Sequence, residues 1–168
     1  MLKVIRCMAE LPFGNLMEIY AQTNRERGCQ WPAETEARRI ALAEQEFYAY
    51  LRQCFFTLPG SHYFLWEEQG RAVSALRCES YKNGYLLTAL ETAPDRRDKG
   101  YATALLKAVL GYIETGSIYV HIHRDNIASV TIHLRCGFTK IKSGACLLDG
   151  SYSAEYDTYL LKLSKNLK

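Results

Sequence analysis

The sequence predicts an α/β (α+β) domain, and three observations carry that reading. Runs with strand alternation and runs with helical spacing interleave in the order strand, two helices, three strands, helix, strand, helix, two strands. Asn83-Gly84 stands between two apolar-rich runs, and both residue types accept positive φ, so the dipeptide signals a tight hairpin between antiparallel neighbours. Proline or glycine punctuates the junctions, at Pro12, Gly60, Pro94, Gly116 and Gly137.

Leu2 to Met8 alternates apolar and polar residues like a half-buried edge strand, until Pro12 and Gly14 break the pattern and a helix follows. Pro32 to Phe55 reads as one helix: Pro32 and Thr35 are start signals, and Ile40, Ala43, Phe47, Tyr50, Leu51 and Cys54 recur at spacings of three or four. Leu58, Pro59 and Gly60 end it. His62 to Glu67 and Ala72 to Ser80 are strands joined by a turn at Gln69-Gly70, and Tyr85 to Thr92 returns antiparallel before Pro94 stops it. Gly100 to Ile113 places Ala104, Leu105, Ala108, Val109 and Tyr112 on a helical stripe closed by Gly116. Ser117 to His123 is a buried strand. Asn126 then caps a helix running toward Gly137, and Phe138 to Ser143 and Tyr156 to Leu163 are the closing strands.

At 168 residues, 48% hydrophobic and 23% charged, the chain can bury one substantial core, and a single domain over residues 1–168 is expected. A net charge of +3 is too small an excess to imply nucleic acid or an anionic membrane as partner. Lys3, Arg6 and Glu10 interrupt the apolar start, no run is long enough to span a bilayer, and the expected location is the cytoplasm. Six separated cysteines lack metal-ligand spacing and read as reduced, mostly buried thiols. His121 and His123 share a strand face, but no carboxylate or cysteine set completes a metal site, so no metal is expected.

The segment from Thr92 to Ala102 joins a strand to a helix and has the chemistry of anion capture. The first helical turn carries N–H groups without intrahelical partners, and the helix dipole adds partial positive charge there. Gly100 permits close approach of a phosphate to the backbone, Ala102 keeps the next contact small, and Arg96, Arg97 and Lys99 add formal charge. Taken alone, the same segment is also a solvated loop capping a helix. Neither the Gly-x-x-x-x-Gly-Lys-Ser/Thr loop nor a Gly-x-Gly-x-x-Gly turn is present.

Arg97-x-x-Gly100-x-Ala102, preceded by Pro94 at a strand end, resembles the Arg/Gln-x-x-Gly-x-Gly/Ala signature of the GNAT superfamily of N-acetyltransferases. Asn126, Ser129, Ile132, His133 and Gly137-Phe138 follow at the spacing of that family's Asn-x-x-Ala-x-x-Leu-Tyr-x-x-x-Gly-Phe segment. The resemblance implies a mixed, mostly antiparallel sheet of about six to seven strands flanked by about four helices, with two central parallel strands splayed apart. It implies acetyl-coenzyme A (acetyl-CoA) as co-substrate, held in that gap. The main chain of Leu90, Glu91 and Thr92 would pair with the pantetheine arm like an added strand, and the amides of Arg97, Asp98, Lys99, Gly100, Tyr101 and Ala102 would bind the pyrophosphate. Asn126 and Ser129 would flank the arm from the other strand, with His133 beside them.

Acetyl transfer to an amine requires a neutral amine, a polarised thioester carbonyl and protonation of the departing thiolate. The family's frequent tyrosine acid is replaced here by His133, which either protonates the thiolate or only packs on its helix. Glu91 is the candidate general base, directly or through water, or else a structural charge, and other acids, Glu67 and Glu68 on an earlier strand among them, stay open. The expected activity is direct acetyl transfer from acetyl-CoA to a primary amine of a small molecule or peptide. The alternative is a catalytically impaired acyl-CoA-binding sensor or subunit. Exposed strand edges leave a homodimer open.

Overall fold

The turn at Asn83-Gly84 connects two antiparallel strands as expected, but its chemistry differs from the sequence reading. Tyr81 pairs with Gly84, so the turn residues are Lys82 and Asn83, with positive φ at Lys82 (51°) rather than at the glycine. Gly84 serves another purpose: a Cβ there would stand 1.9 Å from the carbonyl oxygen of Ser117 on the neighbouring strand. The computed structural model describes residues 1–114, 116–148 and 150–164. In chain order its elements are β1 (Leu2–Ile5), α1 (Phe13–Ile19), α2 (Ala21–Arg27), α3 (Glu36–Gln53), β2 (His62–Glu68), β3 (Arg71–Tyr81), β4 (Gly84–Thr92), α4 (Tyr101–Ile113), β5 (Gly116–His123), α5 (Ile127–Arg135), β6 (Thr139–Cys146) and β7 (Tyr152–Leu163).

The seven strands form one sheet in the order β1-β2-β3-β4-β5-β7-β6. Only β4 and β5 are parallel; every other pair is antiparallel. Successive strand side chains point to opposite faces, so β2 feeds two cores. Tyr63 and Leu65 meet Leu16 and Ile19 of α1 and Phe47 and Leu51 of α3 on one face. Phe64 meets Leu105, Leu106 and Val109 of α4 and Ile118 and Val120 of β5 on the other. Helices on both faces are why the central strands read as nearly continuous apolar runs.

Several boundaries moved for local reasons. The helix expected from Pro32 begins at Glu36, because Thr35 is extended and its hydroxyl caps the amide of Arg38 at 3.3 Å. The N-terminal strand ends at Ile5, and β6 and β7 extend to Cys146 and back to Tyr152, closing a longer hairpin than the composition suggested. The single helix expected after Pro12 is two, α1 and α2, meeting at Tyr20 (φ −92°, ψ 14°), so the described residues contain five α-helices rather than four. The cysteines are unpaired, but four of the six are exposed and only Cys78 is buried, where burial pushes its thiol up to about 12. Among the described residues no helix is long and apolar enough to cross a membrane.

At the far end of the sheet Asp157 of β7 accepts from Lys140 Nζ at 2.6 Å and Arg124 Nε at 3.0 Å. The Lys140 hydrogen bond, foremost, holds its carboxyl below the usual range. A depressed carboxyl stabilises the fold above its unfolded pKa of about 3.9 and loses that contribution as pH falls through the folded value. Asp157→Asn is therefore expected to melt lower than wild type at pH 7, with the difference shrinking below about pH 4. Thermal unfolding at pH 7 and pH 3 measures this.

Candidate active site

The parallel pairing of β4 with β5 covers only Gly84–Leu87 against Ser117–Val120. Beyond it the strands part. Ala89 and Leu90 together stand opposite Leu76 of β3, a bulge that puts Ala89 at a φ of 52°. Positive φ costs a non-glycine residue energy, so something must hold it. Tyr20, at the α1–α2 break, donates its hydroxyl to the Ala89 carbonyl at 2.7 Å, and Tyr63 donates to the Tyr20 hydroxyl at 2.8 Å. The bulge turns β4 away from β5 and opens a cavity of about 870 Å³ between them. Its walls come from α2, the outer half of β4, the turn into α4, the end of β5 and α5.

The turn into α4 has a backbone shape compatible with an anion. Asp98 (φ 61°) and Gly100 (φ 82°) both lie in the left-handed region, curling the backbone around a concavity. The first intrahelical bond runs from the Ala104 amide to the Gly100 carbonyl at 2.9 Å, so the amides of Tyr101, Ala102 and Thr103 have no partner within the helix. Gly100 caps the helix without a side chain in the way. Arg97, Asp98, Gly100, Tyr101 and Ala102 line the cavity, as do Leu90, Glu91 and Thr92. Lys99 is not among the lining residues; its ammonium donates to the Asp95 carbonyl at 3.3 Å.

Arg96 and Arg97 both line the cavity, and both guanidiniums have partners within the protein. Arg96 pairs with Glu68 at 3.4 Å and with Asp95 at 3.3 Å, and the Tyr101 phenol donates to Glu68. Arg97 remains beside the cavity, where Nη1 donates to Gln22 Oε1 at 2.6 Å and Nε to the Thr92 carbonyl at 3.3 Å. The fit to a pyrophosphate therefore rests on the amides at the start of α4, with Arg96 and Arg97 beside them.

Glu91 is half-buried on β4, facing α2. Its Oε1 accepts from Thr23 Oγ1 at 2.6 Å. Burial pushes its carboxyl above the usual range, against the Thr23 hydrogen bond and the Arg97 charge, which pull it down.

Across the cavity, Asn126 Oδ1 accepts from the Ser129 amide at 3.0 Å and caps α5. His133 is 3% exposed, with its ring edge-on to Phe138 at 5.2 Å between centroids. Its Nδ1 lies 2.8 Å from the Ser129 carbonyl oxygen, which can only accept, so Nδ1 carries the proton. Burial lowers the imidazole's pKa, favouring the neutral ring. Neutral His133 thus has its proton committed to the Ser129 carbonyl and only a lone pair on Nε2. His121 and His123 also line the cavity, but Nδ1 of His121 meets Thr158 at 3.2 Å while His123 faces Asp125 and Glu155 at 3.8 Å each. Among the described residues no three His, Cys, Asp or Glu side chains gather as a metal-binding set.

The structure brings Glu91, Asn126, Ser129, His133 and the turn residues other than Lys99 to one cavity, and adds α2, from which the sequence reading named no residue. Gln22, Thr23 and Glu26 line the site too. Nothing in AlaGlnThrAsnArgGlu marks a site, since a short helix that is polar at every position but the first reads as ordinary surface.

Residues 16–138 match the family model of the acetyltransferase (GNAT) family. The PaiA N-acetyltransferase of Thermoplasma acidophilum, solved with coenzyme A, shares the fold at a TM-score of 0.66 and 11% identity over 96% of this chain and 99% of that one. The spermidine N-acetyltransferase of Vibrio cholerae, solved with coenzyme A and spermine, gives 0.64 at 16% identity over 99% and 98%. The ribosomal-protein-S18-alanine N-acetyltransferase of Escherichia coli gives 0.60 at 14% identity over 100% and 99%. No curated protein sequence matches the chain. With the family signature seated on the turn into α4 and the splayed parallel pair beside it, the chain belongs to the GNAT family and is an acetyltransferase that uses acetyl-CoA as co-substrate.

Proposed function

We propose that the acceptor is a primary amine of a small molecule or peptide, acetylated by direct attack while both substrates are bound. The observation that carries this reading is the half-buried Glu91 carboxyl, held by Thr23 and sharing one cavity with the turn into α4. The main chain of Leu90 to Thr92 would hold the pantetheine arm, the amides from Arg97 to Ala102 the pyrophosphate, and Asn126, Ser129 and His133 would flank the arm. The amine nitrogen bonds to the thioester carbonyl carbon, its surplus proton passes to Glu91, and the carbon–sulfur bond breaks to release a thiolate that takes a proton from solvent. A carboxyl whose pKa is raised by burial is a better acceptor for that proton than an ordinary surface glutamate. Alignment of the two substrates supplies much of the remaining acceleration. The structural neighbours named for spermidine and for a ribosomal alanine both act on amines, which supports the acceptor class.

Free-thiol release across a panel of amines, with acetyl-CoA varied, tests the reading. Intersecting double-reciprocal lines are expected; parallel lines would point to an acetylated enzyme, and no turnover with any amine would favour the sensor alternative.

His133 enters as a neutral residue orienting the arm. His133→Phe is expected to raise KM for acetyl-CoA about tenfold, by loss of one buried polar contact, while leaving both limbs of the pH profile in place. His133→Tyr is the comparison. If the alkaline limb disappears in the Phe variant and returns with Tyr, position 133 is the acid after all.

A further inference from the structure

The break before α2 and its first turn hold the cavity through three side chains, those of residues 20, 22 and 23. Tyr20 holds the Ala89 carbonyl at the bulge, Gln22 holds Arg97 at the turn into α4, and Thr23 holds Glu91 between them. These three contacts reach the strand that opens the cofactor gap, the arginine at its phosphate end and the carboxyl at its reacting end.

The Thr23 contact is the most specific. An ionised carboxylate only accepts, so at 2.6 Å the single proton of Thr23 Oγ1 is committed to Glu91 Oε1. That bond fixes the carboxyl's rotation and leaves Oε2 as the oxygen for an incoming proton. The threonine is β-branched on a helix, with few χ1 states, so its hydroxyl is a stiff support.

We infer that Thr23 is the positioning residue of Glu91, orienting the carboxylate so that Oε2 meets the acceptor amine; the inference rests on Glu91 being the base proposed above. The charges facing Glu91 come from every element around it: Glu26 on α2, Arg97 before α4 and Arg77 on β3, with His121 and His123 of β5 lining the same cavity. Tyr20 and Tyr63, also close, are deeply buried, and burial holds their phenols above the ordinary range and neutral. Among these groups Thr23 opposes burial most strongly, so its removal drives the Glu91 carboxyl further up. The base form is then lost at a higher pH.

The test is a titration of ¹³C-labelled glutamate carboxyls, with the Glu91 signal assigned by its absence from Glu91→Gln, in wild type, Thr23→Val and Thr23→Ser. Kinetics on the same proteins use acetyl-CoA with spermidine and with a tripeptide bearing a free N-terminus as probe amines. Thr23→Val, close in shape but without a hydroxyl, is expected to titrate at higher pH, to carry its acid kinetic limb in the same direction and to lose about tenfold in kcat, with KM for acetyl-CoA unchanged. Thr23→Ser is expected to restore all three. Should the valine variant fold poorly, Thr23→Ala gives the same readouts with less bulk. A Glu91 midpoint and acid limb unmoved in Thr23→Val, while Glu91→Gln loses its limb, overturns the positioning role and leaves the base reading intact. A Glu91→Gln protein that keeps the wild-type rate and limb instead removes Glu91 from the reaction, and Thr23's role with it.

Discussion

Glu91→Gln is expected to lower kcat/KM about a thousandfold, the middle of the range for removing a general base. The amide is the same size as the carboxyl and can still accept from Thr23 through its carbonyl oxygen, so the packing against α2 should survive. What it cannot do is take the amine's proton. Because the strand's main chain and the amides after Arg97 would hold the cofactor, KM for acetyl-CoA should change by less than about twofold. The sign of the pH effect follows from burial. A raised carboxyl becomes protonated, and the wild type inactive, as pH falls through a value above the ordinary glutamate range of about 4.3. The amide variant has no such group, and its residual rate should lack that acid limb. Profiles of kcat/KM from about pH 4 to 9, spanning the ordinary glutamate range of about 4.3 and above, measure both effects, and an unchanged limb would remove Glu91 from the mechanism.

Gly84→Ala should be the most damaging small change to the fold. Its Cβ would lie 1.9 Å from the Ser117 carbonyl oxygen and 2.8 Å from the Ser117 carbonyl carbon, and both are backbone atoms that cannot swing aside. Gly84 and Ser117 are the first partners of the parallel pair, so relief of the clash pushes β4 and β5 apart at the end where they should be joined. Forced overpacking of this kind costs about 3 kcal/mol, which for a protein this size lowers Tm by about 10 °C. Gly111→Ala is the control: it lies in α4 with nothing within 4 Å of the added carbon, and should stabilise by up to about 1 kcal/mol through helix propensity. Differential scanning calorimetry of the two variants separates steric clash from the general effect of replacing glycine.

The elements that sequence reading recovered are those whose causes are local. The hydrophobic stripe of Gly100 to Ile113 has one helical solution, and the glycine at its start lies at a φ of 82°, a conformation that costs other residues energy. Asn126 caps the next helix through its own side chain, three residues from the amide it accepts. By itself, then, the amino-acid sequence determined the order of strands and helices apart from the break between α1 and α2, the glycine-started turn into α4 and the family it resembles.

Tertiary structure decided the rest, because the deciding contacts join residues distant in the chain. No proline or glycine marks the break at Tyr20 or the bulge at Ala89; the two are joined by a hydrogen bond across 69 positions. Arg96 reads as a free cation beside the turn, until Glu68 of β2 pairs with its guanidinium at the cavity wall. Gly84 looks like a turn residue until β5 arrives beside it. Thr23 is an ordinary helical threonine until folding sets its hydroxyl against Glu91, 68 positions away, where a single proton can orient the carboxyl.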